Sequence, residues 1–133
     1  MKARDGHFKS RFAKKSKLMN RRVSIDGKTF ASKLEAAVYL ELKNLSRTGI
    51  LQILEVQPRV YLTEAKILYI PDFKCLDLRS NEVFFVEAKG QETTDWKIKK
   101  CLWEHYGPAT LHIWKGTFKR PSLQQKIPII KNN

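Results

Sequence analysis

Two short stretches carry the residue types of a hydrolytic centre: Pro71-Asp72 and Glu87-Ala88-Lys89. Each lies on an apolar segment, 66–76 and 83–89, and the polar Arg79-Ser80-Asn81 between them suits a hairpin turn. Side chains alternate faces along a strand, so Glu87 and Lys89 share a side with Val83 and Phe85, and Ala88 faces away. Pairing around a turn at 79–81 sets residue 72 opposite residues 87–89. Two carboxylates brought together there repel unless a cation lies between them. An oxygen-only site with few protein ligands and open positions for water suits Mg²⁺ or Mn²⁺. Such an ion polarises a phosphodiester and lowers the pKa of an attacking water. Lys89 can hold that water and stabilise charge on the phosphate.

Taken singly, each stretch has an ordinary explanation. Pro-Asp is a common turn dipeptide, and Glu-x-Lys arises easily in a chain rich in both residues. As a pair they could form no more than a cross-strand ion pair between Asp72 and Lys89. A third carboxylate sharpens the choice. Residues 32–49 predict a helix with Ser32 as N-cap and Gly49 as its stop. Leu34, Ala37, Val38, Leu42 and Leu45 fall on one face, and Ala36, Tyr39 and Leu40 cover much of the other, so the helix should be largely buried. Glu35 sits at the edge of the apolar stripe. Ser32-x-x-Glu35 is also a capping box, in which Glu35 would reach back to the N–H of Ser32. Glu41, in the middle of the stripe, is the rival carboxylate.

These groups must be positioned by the rest of the chain. Residues 23–30 predict a small hairpin turning at Asp26-Gly27. Residues 50–62 read as a strand interrupted at Gln57-Pro58. A second helix over 91–108 is capped near Thr93 or Thr94 and stopped by Gly107-Pro108, with a buried stripe of Ile98, Cys101, Leu102 and His105. Trp96 and Trp103 share a face of it, where packing or a subunit contact is expected. His105 reads as a core histidine, and His7 and His112 have no partner at metal spacing. Residues 109–114 alternate as a last strand. The result is one domain over 23–116, between a basic N-terminal arm (1–22) and a basic, proline-punctuated, irregular tail (117–133).

The chain has 133 residues with 26 Lys and Arg against 13 Asp and Glu, a net +13 that favours a polyanionic partner. Residues 1–22 hold nine of those cations against Asp5 alone, a net +8. Lys14, Lys15, Lys17, Arg21 and Arg22 in this arm, with Lys97 and Lys99 on the second helix, are the candidate phosphate contacts. No apolar run is long enough to span a membrane, and the basic N-terminus lacks the apolar block of a secretory signal. Cys75 and Cys101 make no disulfide framework. A reduced intracellular setting is expected.

Pro71-Asp72, then Glu87-Ala88-Lys89, preceded by Glu35 on a helix, resembles the PD-(D/E)XK nuclease superfamily over roughly residues 30–114. The SKLEAAVYLELK and VEAKG stretches resemble small phage-encoded members of it. The resemblance implies an α/β (α+β) fold with a restriction-endonuclease-like αβββαβ core, a mixed four-stranded sheet flanked by helices. It implies that Asp72, Glu87 and the backbone carbonyl of Ala88 ligate Mg²⁺ or Mn²⁺, that Glu35 completes the site, and that Lys89 is the catalytic lysine. The implied activity is metal-dependent DNA endonuclease, in the cytoplasm (that of a bacterial host, if the chain is phage-encoded). A single small domain with basic arms points to branched DNA, as in Holliday junction resolvases acting as homodimers. The alternatives are a sequence-specific or nicking nuclease and a non-catalytic nucleic-acid-binding protein.

Overall fold

A computed structural model describes residues 22–130. Two strands, β1 (Val23–Ile25) and β2 (Lys28–Phe30), form the expected hairpin. Asp26 and Gly27 turn it with positive φ values of 54° and 75°, the geometry a tight two-residue hairpin demands. Helix α1 (Lys33–Arg47) follows, with the Ser32 hydroxyl accepting from the N–H of Glu35 at 3.0 Å. After β3 (Leu51–Val56) the chain turns at Gln57 into a second small hairpin, β4 (Val60–Leu62) and β5 (Ile67–Tyr69). Then come β6 (Phe73–Asp77), β7 (Glu82–Ala88), α2 (Thr94–Tyr106), β8 (Thr110–Thr117) and β9 (Arg120–Ile127).

The main sheet is mixed and five-stranded, in the order β3-β6-β7-β8-β9. Only β7 and β8 run parallel, joined through α2; the other neighbours are antiparallel. Alternation along the strands divides the core into two layers. Phe73, Cys75, Phe84 and Val86 pack under α1 against Phe30, Val38, Tyr39 and Leu42. Phe85, Leu111 and Ile113 face the other way, against Trp96 and Trp103 of α2 and Leu62 and Tyr69 of the β4–β5 hairpin. Trp103 is fully enclosed, edge-on to Phe85 at 5.1 Å and to Tyr69 at 5.7 Å, and its Nε1–H donates to the carbonyl of Ala109 at 2.8 Å. Burying such a side chain contributes on the order of 3 kcal/mol.

The fold departs from expectation in three places. The apolar segment 66–76 is two strands, because Pro71 has no N–H for a ladder. β5 therefore pairs back to β4, and β6 alone pairs with β7. The tail expected to be irregular from 117 onward contributes β9, which makes the sheet five-stranded instead of four and carries ordered chain to Ile127. Pro121 and Lys126 on this outer strand are the residues that protect a sheet edge, and they hid its strand character. Helix α2 is rotated from the predicted stripe. Trp96 and Trp103 are its buried residues, whereas Ile98 is 53% exposed and Cys101 and His105 face outward. The core-histidine reading of His105 is thereby corrected. No helix among the described residues is long and apolar enough to cross a membrane.

Candidate active site

Asp72 stands where the chain bends from the β4–β5 hairpin into β6. Its backbone is clamped on both sides: its N–H donates to the carbonyl of Val86 at 2.9 Å, and its carbonyl accepts from Gln57 at 2.8 Å. Phe73 pairs with Val86 in the β6–β7 ladder and Asp72 bonds the carbonyl of the same Val86, so Asp72 sits at the end of the ladder beside Glu87 and Ala88, roughly where the hairpin turn predicted. Asp72 Oδ2 accepts from the backbone N–H of Ala88 at 2.7 Å. N–H and C=O of one strand residue point to the same side. The Ala88 carbonyl therefore leaves the strand beside Asp72, past the start of β6, where the resemblance expects a ligand.

Glu87 lies on the α2 side of the sheet in line with Phe85. Its Oε1 accepts from the Tyr69 hydroxyl at 2.7 Å. Glu35 arrives from the first turn of α1. Its carboxylate reaches back to the N–H of Ala31 at 3.4 Å, one residue beyond the Ser32 N–H that a full capping box would use. Glu35 is 8% exposed, Asp72 9% and Glu87 8%, and these are the buried charged residues among those described. Glu41, by contrast, is exposed, so α1 delivers Glu35 and not its rival.

Burial and mutual repulsion govern this cluster electrostatically. Desolvation, with the Glu87 and Glu35 charges added, holds the Asp72 carboxyl well above the usual aspartate range, against the lowering effect of the Ala88 N–H. Desolvation pushes Glu87 up to about 7, with Glu35 raising it further and the Tyr69 hydroxyl and Lys89 pulling it down. The Tyr69 hydroxyl is raised well above its ordinary value by burial and the Glu87 charge. Among the described residues Asp72 and Lys89 make no ion pair, so the cross-strand salt bridge does not account for these carboxylates. Lys89 instead holds its Nζ 5.0 Å from the centroid of the Trp96 ring.

No three of His, Cys, Asp and Glu among the described residues are already drawn together as a metal cage. The donor chemistry nonetheless fits a hard divalent cation: three buried carboxylates that repel one another, with a backbone carbonyl alongside and no nitrogen or sulfur ligand. Asp72, Glu87, Glu35 and the Ala88 carbonyl would hold it.

The predicted phosphate contacts divide. Lys14, Lys15, Lys17 and Arg21 lie outside the described residues, and Arg22 is exposed at their edge. Lys97 is exposed, whereas Lys99 donates to the carbonyl of Leu68 at 2.8 Å and ties α2 to β5. That bond gives Lys99 a structural role within the fold. Sequence reasoning missed Tyr69, the hydrogen-bond donor to Glu87. Its position three residues before Asp72, at the end of the segment Pro71 breaks, was the available signal. It also missed Glu92, which pairs with Lys100 at 3.5 Å and with Lys115.

A family model described as "Protein of unknown function (DUF1064)" matches residues 15–119. The chain belongs to this family. The matched span includes Glu35, Asp72, Glu87 and Lys89, so the whole carboxylate cluster lies within the DUF1064 region. No curated protein matches the chain.

Proposed function

We propose that this DUF1064 chain is a metal-dependent DNA endonuclease of PD-(D/E)XK type that acts on branched DNA. The observation that carries the reading is the burial of Glu35 from α1, Asp72 from the bend before β6 and Glu87 from β7 within reach of one another's charge, in a chain of net +13. Buried like charges are costly, and a fold keeps them where they have work to do. Bound Mg²⁺ or Mn²⁺ would supply Lewis-acid polarisation of the scissile phosphate and a more acidic attacking water.

The chain's own groups then have distinct tasks. The Ala88 N–H fixes the Asp72 carboxylate, and the Tyr69 hydroxyl fixes that of Glu87, so each presents its remaining oxygen in a set direction. Lys89, held over the face of Trp96, offers an ammonium to the phosphate or to the attacking water. The basic arm neutralises flanking phosphates. A homodimer would set two such sites against two strands of a junction. The cytoplasm, where DNA and Mg²⁺ meet, is the setting this function requires.

The test is cleavage of end-labelled four-way junction, flap and linear duplex with Mg²⁺ or Mn²⁺. Paired symmetric cuts in the junction support the reading. Single nicks or cuts at one duplex sequence favour another kind of nuclease. Salt-sensitive binding with no product on any substrate overturns the enzymatic claim in favour of a binding protein.

A further inference from the structure

The β8–β9 hairpin overshoots the active-site end of the sheet. Ala88 is level with Trp114 in the parallel register, yet β8 continues to Thr117 before the chain turns through Phe118-Lys119 into Arg120. At roughly 3.3 Å per residue, the tip stands about 13 Å beyond the level of Ala88. Gly116 fixes its direction. The φ there is 102°, and a Cβ would lie 2.4 Å from the Arg120 carbonyl oxygen, so only glycine lets the two strands cross this closely. The Thr117 hydroxyl accepts from the Arg120 N–H at 3.3 Å and closes the turn.

The tip carries an aromatic ring among cations. Phe118 is 48% exposed, with Lys33 Nζ 4.9 Å and Lys119 Nζ 6.0 Å from its centroid. Lys33 opens α1 two residues before Glu35, so the tip rests on the same helix end that delivers Glu35 to the site. Arg120 and Lys115 add to the charge, and Glu92, bound to Lys115, is the one acid paired with any of these four cations among the described residues. An apolar protein partner would have to desolvate the ammonium groups around the ring. A nucleic acid does not: its phosphates meet the cations and a base meets the ring. Bases inside an intact duplex are stacked on both faces. A free face exists only where a strand crosses, ends or is displaced.

We propose that Phe118 is a stacking finger that takes an unstacked base about two nucleotides from the scissile phosphate, with Lys33, Lys119 and Arg120 holding the adjoining phosphates. The inference rests on the nuclease reading above and deepens it. Phe118 makes DNA with a branch or single-stranded segment the preferred substrate, while the carboxylates cut it.

The experiment is fluorescence anisotropy in EDTA, with a labelled four-way junction and a linear duplex of matching arm sequence as probes, each over a salt series. Phe118→Ala should weaken junction binding on the order of 10- to 100-fold. Duplex binding should stay within about twofold, because no base face is free there. Phe118→Trp should restore junction binding, whereas Phe118→Leu, which keeps apolar volume without the ring, should not. Lys119→Gln and Arg120→Gln should weaken both probes alike and reduce the salt slope by about 1 each. Equal loss on both probes in Phe118→Ala, or no loss on the junction, overturns the proposal. The two claims fail separately, because this assay involves no cutting. Junction preference that depends on Phe118 in a protein that never cleaves overturns the nuclease reading alone. Cleavage with junction preference unchanged in Phe118→Ala overturns the finger alone.

Discussion

Raising the pH of the metal-free protein from about 5 to 8 should destabilise it, because the fold then has to hold its buried carboxylates in charged form. Glu87 gives the magnitude. Its pKa rises from the ordinary 4.5 to about 7 in the fold. The native state therefore binds more protons than the unfolded chain throughout that window. Stability is fully present below about 4.5 and is lost as the pH rises through about 7. At about 1.4 kcal/mol per pKa unit, this interval corresponds to roughly 3 kcal/mol. For a domain of this size that is roughly 10 °C in melting temperature. Asp72 is shifted in the same direction and adds to the effect. The assay is thermal unfolding in EDTA between pH 5 and 8, on the parent chain and on Glu87→Gln. The variant should lose the part of the pH dependence that Glu87 contributes, keep the part due to Asp72, and be the more stable of the two at pH 8. Saturating Mg²⁺ should recover part of the loss in the parent at pH 8, about 2.7 kcal/mol at a hundredfold excess over Kd. A melting temperature that is flat or rises with pH, or the same slope in Glu87→Gln, would mean that the fold does not disfavour the charged form of Glu87.

Further outcomes follow from single contacts. Tyr69→Phe deprives Glu87 of its hydroxyl donor at 2.7 Å, so the acid limb of the cleavage pH profile should move upward by on the order of one pH unit. Glu35→Gln should cut the cleavage rate by at least about 100-fold, whereas Glu41→Gln, on the exposed face of α1, should leave it within about twofold. Gly107→Ala places a methyl 2.6 Å from the buried Trp103 ring and should cost about 2–3 kcal/mol, seen as a lowered melting temperature.

Local signals in the chain were legible where short-range chemistry decides. Asp26-Gly27, the Ser32 cap, the Thr93 cap and the turn before Asn81 each define an element from within a few residues, and each is found in place. The register that sets Asp72 against Glu87 follows from the length of that turn. What could not be read depends on partners distant in sequence. Helix α2 buries Trp96 and Trp103 because Tyr69 and Phe85 await them, and Lys99 turns inward because the Leu68 carbonyl is there to accept. β9 has no alternating pattern of its own and is a strand because β8 offers it a ladder. Glu35 is ambiguous in sequence for a physical reason: its backbone N–H serves the Ser32 cap while its side chain is buried beside Asp72.

The proposed function requires that buried carboxylates at the β6–β7 end hold a cation that drives phosphodiester hydrolysis. Its most direct measurement is cleavage of a labelled four-way junction by the parent chain and by Asp72→Asn, with and without Mg²⁺, at matched DNA occupancy. The parent should cut only when Mg²⁺ is present, and Asp72→Asn not at all, although both bind the junction. Cutting that survives EDTA, or that persists in Asp72→Asn, would contradict it.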